Sequence, residues 1–183
     1  MDSPMTQDTN DATTRPSWYT RRHIAPFTLG DTAIDKIIKE ATHAVVSWVT
    51  KDNKPVSAVM LYRLIDGVIT LTSTTNRAKY HAWKRNPNAC FCIWEPGNMG
   101  RQVTLRGTVD IKKDPLLLRK FSEGLLMLQS RGKPVSEARI IEEIAKFDAP
   151  DRYMMQLNIE KTLTHDLNRL FEVEATGEDV WTR

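Results

Sequence analysis

The period of the apolar positions changes along the chain, and each change marks an element. Ile34, Ile37, Ile38 and Ala41 recur at helical spacing behind Asp31, which predicts a short helix with Asp31 as its N-cap. Residues 43–50 (HAVVSWVT) are β-branched and aromatic and read as a strand. A polar turn at 51–54 leads to a second strand over 55–65, and Asp66-Gly67 is a strong hairpin signal before a third strand at 68–73. Three strands joined by tight turns make an antiparallel meander.

Helical spacing returns at 76–85 (NRAKYHAWKR), with Asn76 as candidate cap and Asn86-Pro87 as the stop. A fourth strand is predicted at 89–95, a loop at 96–100, and a fifth strand at 101–111. Gly107 within that strand marks a bulge or sharp bend. Asp114-Pro115 opens the longest helix, whose apolar face carries Leu117, Leu118, Phe121, Leu125 and Leu128. A further helix over 136–147 carries Ile140, Ile141, Ile144 and Phe147. A last strand spans 152–164, with Met155, Leu157, Ile159 and Leu163 alternating. Five or six antiparallel strands with a helix after the third point to a small closed or split β-barrel with helices outside.

The flanks differ in composition. Residues 1–17 are polar and expected to be a disordered tail, and residues 166–183 form a second tail. The domain between them, 18–165, carries a helical insert at 114–147. Its first stretch holds Trp18, Tyr19, Arg21, Arg22 and Phe27, an arm that packs on the body or reaches a partner chain.

At 183 residues, with 40% hydrophobic and 27% charged, the chain suits one domain with its own core. Its net charge of +3 is too small for a dedicated nucleic-acid binder. No apolar run reaches the roughly 18–20 residues of a membrane span, and no secretory signal is evident, so the expected compartment is the cytoplasm. Cys90 and Cys92 lie two apart on a strand, share a face, and read as small apolar core residues rather than a metal or redox pair. His23, His43, His81 and His165 show no ligand spacing, and no metal site is expected.

Candidate chemistry concentrates in 72–88, TSTTNRAKYHAWKRNPN. Hydroxyls at a strand end, then a helix start carrying Arg77 and Lys79 and no acid, suit a bound phosphate. The same residues would also serve as a solvated basic helix after a Thr-rich turn. No catalytic carboxylate pair, G-x-S-x-G, P-loop or G-x-G-x-x-G is present, so no catalytic side chain is assigned. A phosphate site without acid–base machinery fits a cofactor that performs the chemistry.

The order of these segments resembles a known family. The hairpin AVVSWVTKDNKPVSAVMLY, the block DGVITLTSTTNRAKYHAWKRNPNACFCIWE and the stretch GRQVTLRGTVDI resemble the FMN-binding split-barrel proteins of the pyridoxamine 5'-phosphate oxidase-like superfamily. The resemblance implies a mainly β protein with flanking helices: a six-stranded, antiparallel, Greek-key-like split barrel, homodimeric, with cofactor sites at the subunit interface. It implies that Lys79 and Arg77 hold the FMN phosphate and that Thr72 and Ser73 hold the phosphate or the ribityl chain. Val59, Met60 and Leu61 would line the isoalloxazine through their main chain, and Gln102 would approach the ring or ribityl chain. Trp83, Trp94 or Trp18 would complete a site from the other chain. The activity implied is an FMN-dependent oxidoreductase acting on a small molecule. TTNRAK is similar to the helix start of a deazaflavin-binding subgroup, which makes coenzyme F420, with Lys84 and Arg85 as added cations, the alternative. A non-catalytic flavin- or haem-binding protein is a further one. Ser57 and Tyr62 stand where the true oxidases carry Arg and Lys, so oxidation of pyridoxamine phosphate itself is not expected.

Overall fold

The computed structural model describes residues 27–176. The predicted tail at 1–17, the arm residues Trp18 to Arg22, His23 and the last residues of the C-terminal tail lie outside the described residues. The elements run α1 (Asp31–Glu40), β1 (His43–Val49), β2 (Pro55–Leu61), β3 (Arg63–Ile65), β4 (Val68–Thr74), α2 (Ala78–Arg85) and β5 (Asn88–Glu95). They continue with β6 (Asn98–Lys112), α3 (Pro115–Gln129), α4 (Glu137–Phe147), β7 (Arg152–Asp166) and α5 (Leu167–Thr176).

All seven strand segments form one antiparallel sheet in the order β2-β1-β5-β6-β7-β4-β3. The outermost segments, β2 and β3, are separated in the chain by Tyr62 alone. The sheet must therefore curl until its edges meet, so the segments make six strands of a barrel, one of them broken. Before Tyr62 this strand pairs with β1, and after it with β4. The break leaves two edges free: β2 along 55–61, and β4 beyond Thr70, because β3 reaches only 68–70. Those edges are the two lips of the split in a split barrel.

The break is anchored. Tyr62 is 1% exposed, its hydroxyl donates to the Ile38 carbonyl of α1 at 2.7 Å, and its N–H donates to Thr42. Burial pushes its phenol well above the ordinary tyrosine range. Tyr62→Phe keeps the ring and orphans that carbonyl, which is expected to cost about 1 kcal/mol, read as a lowered thermal midpoint.

The interior holds Val46, Leu71, Trp83, Phe91, Ile93, Leu105 and Met155, and Ile37 of α1 and Tyr80 of α2 pack into the same cluster. Outside the barrel, α3 lays Leu118, Phe121 and Leu125 on Ile65 and Met154. Asp114 caps α3 as predicted, accepting from the Leu116 and Leu117 N–H groups, with Pro115 at the first position. Asp66 (φ 51°) and Gly67 (φ 80°) form the predicted hairpin turn, both in the left-handed region.

Several local expectations are corrected. Gly30, not Asp31, caps α1; Asp31 is its first residue, where its charge suits the helix dipole. Arg77, not Asn76, is the cap position of α2, and Asn76 instead accepts from Thr74 at 2.6 Å. The loop expected at 96–100 is only a tight turn, because β6 begins at Asn98. The tail after 165 forms α5 over 167–176. Leu128 and Ile141 point to solvent, 40% and 56% exposed.

Gly107 sits at a bulge. Arg106 pairs with Lys161, but Gly107 pairs with Ile159, so Glu160 is the extra residue. Met155 and Leu157 are buried as expected, whereas Ile159 is 48% exposed; after the bulge the faces exchange, and Leu163, opposite Thr104 on the outer face, is 41% exposed. Cys90 and Cys92 share a face, but it is the outer one, where both are half-buried rather than in the core.

Candidate functional site

The end of β4 and the start of α2 stand at one lip of the split. Residues 68–74 alternate strictly: Ile69, Leu71 and Ser73 face the interior, and Thr70, Thr72 and Thr74 face out. Consecutive strand residues cannot offer side chains to one ligand on the same face. Thr72 takes part in the site, whereas Ser73 is 3% exposed and donates to the Thr74 carbonyl.

Register brings in a residue that sequence reading missed. In the β4–β7 ladder Thr74 lies opposite Arg152, and an Arg152 guanidinium nitrogen reaches the Thr72 hydroxyl at 3.4 Å. Thr72 passes its own proton to the Tyr153 carbonyl at 3.1 Å. Arg152 follows Thr72 by 80 residues, so no local motif could have signalled it.

Arg77, Lys79 and Arg152 lie close enough to act on one another. Burial lowers the Lys79 ammonium below its ordinary value, and Arg77 and then Arg152 lower it further. Burial lowers Arg152 as well; Asp151 opposes that shift and Arg77 adds to it. No ion pair joins any of the three to a carboxylate among the described residues. The Arg152 Nε is buried with no partner. No side chain caps α2, whose first turn follows Arg77 directly. Mutually repelling, partly desolvated cations with an orphaned donor and an uncapped helix start fit a phosphate dianion.

The cations at the far end of α2 do not join the cluster. Arg85 donates to the Val49 carbonyl at 2.7 Å, and Lys84 stacks on the Tyr80 ring. Trp83 is a core residue at 1% exposure, packed between Trp48 and Phe91, and is not available to a second chain.

Across the split runs β2. Val59, Met60 and Leu61 pair with Val45, Ala44 and His43 on one side and leave their other main-chain edge open. Met60 turns inward, while Val59 is 61% exposed on the outer face. Ser57 is exposed on the same edge.

Gln102 stands elsewhere. It pairs with Trp94 and with His165, and its amide oxygen accepts the Cys92 thiol at 3.3 Å. Position 165 is eleven residues along β7 from Met154, the partner of Thr72. At about 3.3 Å per residue that is roughly 35 Å of strand. One chain therefore brings together Thr72, Arg77 and Lys79 but does not bring Gln102 to them. Three or more potential metal ligands cluster nowhere among the described residues, and no described helix is long and apolar enough to cross a membrane.

Residues 31–166 match the sequence model of pyridoxamine 5'-phosphate oxidase. The chain belongs to the pyridoxamine 5'-phosphate oxidase family. Solved structures agree on the split-barrel fold at low identity. A conserved hypothetical protein from Mycobacterium tuberculosis superposes with a TM-score of 0.70 at 18% identity, over 80% of this chain and 91% of that one. An F420 reductase gives 0.52 at 24% identity, over 70% and 94%. A pyridoxamine 5'-phosphate oxidase-related, FMN-binding protein from Nostoc punctiforme gives 0.54 at 16% identity, over 75% and 82%. No curated protein matches the chain. In this member of the pyridoxamine 5'-phosphate oxidase family, Tyr62 is the core anchor of the strand break, and neighbouring Arg63 has its Nε buried without a partner.

Proposed function

We propose that the protein is an FMN-dependent oxidoreductase acting on a small molecule. The observation that carries this reading is the cluster of Arg77, Lys79 and Arg152, free of carboxylate partners, at the lip of the split. It would hold the FMN phosphate, with the Thr72 hydroxyl fixing Arg152. The open edge of β2 at Val59–Leu61 would meet the isoalloxazine through main-chain groups. Bound flavin supplies hydride or electron transfer at its ring, which explains a site without a catalytic side chain. Ser57 and Tyr62, at the positions where the resemblance puts the oxidases' Arg and Lys, are both uncharged, so pyridoxamine phosphate is not the proposed substrate although Arg63 is adjacent.

The working unit is a homodimer with cofactor sites at the interface. Two features support it. The outer face carries the cross-strand row Val59, Val45, Cys92, Thr104 and Leu163, with 61% of Val59 and 41% of Leu163 exposed. The resemblance also assigns Gln102 to a cofactor ring, and at roughly 35 Å of strand from Thr72 it would reach one only from a second chain. A deazaflavin is the alternative, favoured by the TTNRAK helix start and the likeness to an F420 reductase. The absorption spectrum of the purified protein, with the mass of the heat-released chromophore, tests the reading. FMN is expected. Coenzyme F420 would move the protein to the alternative. A colourless protein that binds neither on titration would end both.

A further inference from the structure

The end of the helical insert reaches the cation cluster. Phe147 closes α4, and five residues later Arg152 opens β7. The return between them is tight. The Asp148 N–H donates to the Ile144 carbonyl at 2.8 Å, the Ala149 N–H to Phe147 at 2.8 Å, and the Arg152 N–H to Ala149 at 3.0 Å. Two further bonds tie the return to the barrel: Lys113 donates to the Pro150 carbonyl, and the Thr75 N–H, just past β4, donates to the Asp151 carbonyl at 2.9 Å. This path sets the Arg152 guanidinium over the Phe147 ring, with Cζ 5.0 Å from the ring centroid. The ring is itself held from α3. It meets Phe121 edge-to-face, with centroids 6.3 Å apart at 81°, and packs on the cluster of Ile65, Leu118, Leu125 and Met154.

A guanidinium has a planar face and an edge of five N–H groups, and an aromatic ring takes only the face. On the edge, one nitrogen donates to the Thr72 hydroxyl at 3.4 Å, and Nε is buried with no partner. Asp151 precedes Arg152 in the chain, yet no carboxylate lies within ion-pair distance of Arg152 among the described residues. A carboxylate in place of the ring would also fix this side chain, but it would occupy donors and cancel the charge. The Phe147 ring fixes it and leaves both.

We propose that Phe147 is a positioning residue for the phosphate site: it holds the Arg152 guanidinium by its face, so that free N–H groups and an unneutralised charge meet the cofactor phosphate. That role rests on the phosphate reading above, and it extends the site from the barrel to the helical insert. Phe147 acts through Arg152 and not on the cofactor directly.

The test compares FMN and riboflavin binding to the full-length, cofactor-free protein by fluorescence titration. Riboflavin lacks the phosphate, so the ratio of the two Kd values isolates what happens at that group. Phe147→Leu keeps an apolar side chain and removes the ring face. It is expected to lower the preference for FMN about three- to tenfold and to leave riboflavin affinity unchanged. Phe147→Met should behave alike, and Phe147→Tyr, which keeps the ring, should retain the wild-type preference. In an Arg152→Ala background Phe147→Leu should change the preference no further, and a persisting effect there would overturn the role. FMN and riboflavin affinities that fall together would show Phe147 to be structural only and overturn it too. A wild-type preference for FMN that Phe147→Leu and Phe147→Met leave intact would overturn it while the phosphate reading stands. Equal wild-type affinities would defeat both.

Discussion

Gly107→Ala is expected to destabilise the protein by roughly 3 kcal/mol or more, the upper end of the range for forced overpacking. In a domain of this size that lowers the thermal midpoint by roughly 6–12 °C. The reason is local and steric. An added Cβ would lie 2.9 Å from the Asn158 carbonyl carbon and closer still to its oxygen. Both are backbone atoms of the adjacent strand, and a backbone atom cannot step aside as a side-chain tip can. Relief requires opening the β6–β7 ladder at its bulge, and that ladder carries the largest strand pairing in the barrel. Gly30→Ala is the control: a Cβ there meets nothing within 4 Å, and φ is −78°. It should leave the midpoint nearly unchanged. Equal midpoints for the two variants would refute the close approach at Gly107.

Lys79→Ala is expected to weaken FMN binding by about 10- to 100-fold, the range for losing one charge-assisted hydrogen bond. Cofactor-free stability should hold or rise slightly. The folded state lowers the Lys79 pKa through burial, Arg77 and Arg152. The unfolded chain therefore binds more protons at this site, and charged Lys79 works against folding. The sign gives a pH signature. Cofactor-free protein should gain stability from this group as pH rises through the lowered folded pKa toward the ordinary lysine value, and Lys79→Ala should lose that gain. Bound phosphate reverses the preference by favouring the charged ammonium. Paired titrations and thermal melts check both parts. A variant that loses stability and affinity in parallel would show Lys79 to be structural.

The barrel was legible because its strands announce themselves by β-branched and aromatic runs and one hairpin turn by Asp66-Gly67. The break at Tyr62 was not, because residues 55–65 read as one mostly apolar run with no turn residue at 62, while the strand changes partners there. The reversal of Leu163 was equally hidden: Gly107 signals a bulge in its own strand, but the extra residue, Glu160, and the flip after it fall on the facing strand. Within the candidate site, Thr72, Arg77 and Lys79 are neighbours in sequence and could be read together. Arg152 joins them only through the β4–β7 register. Ser73 looked equivalent to Thr72 until strand geometry placed the two on opposite faces.

The claim that the cation cluster is a phosphate site is tested most directly by binding FMN and riboflavin to the cofactor-free protein at one ionic strength. The two ligands share the ring and ribityl chain and differ in the phosphate. Two or more charge-assisted hydrogen bonds to that group predict FMN tighter by about 100-fold or more, with the gap narrowing in Lys79→Ala. Equal affinities for FMN and riboflavin would contradict the account and leave Arg77, Lys79 and Arg152 as a basic surface without a phosphate to hold.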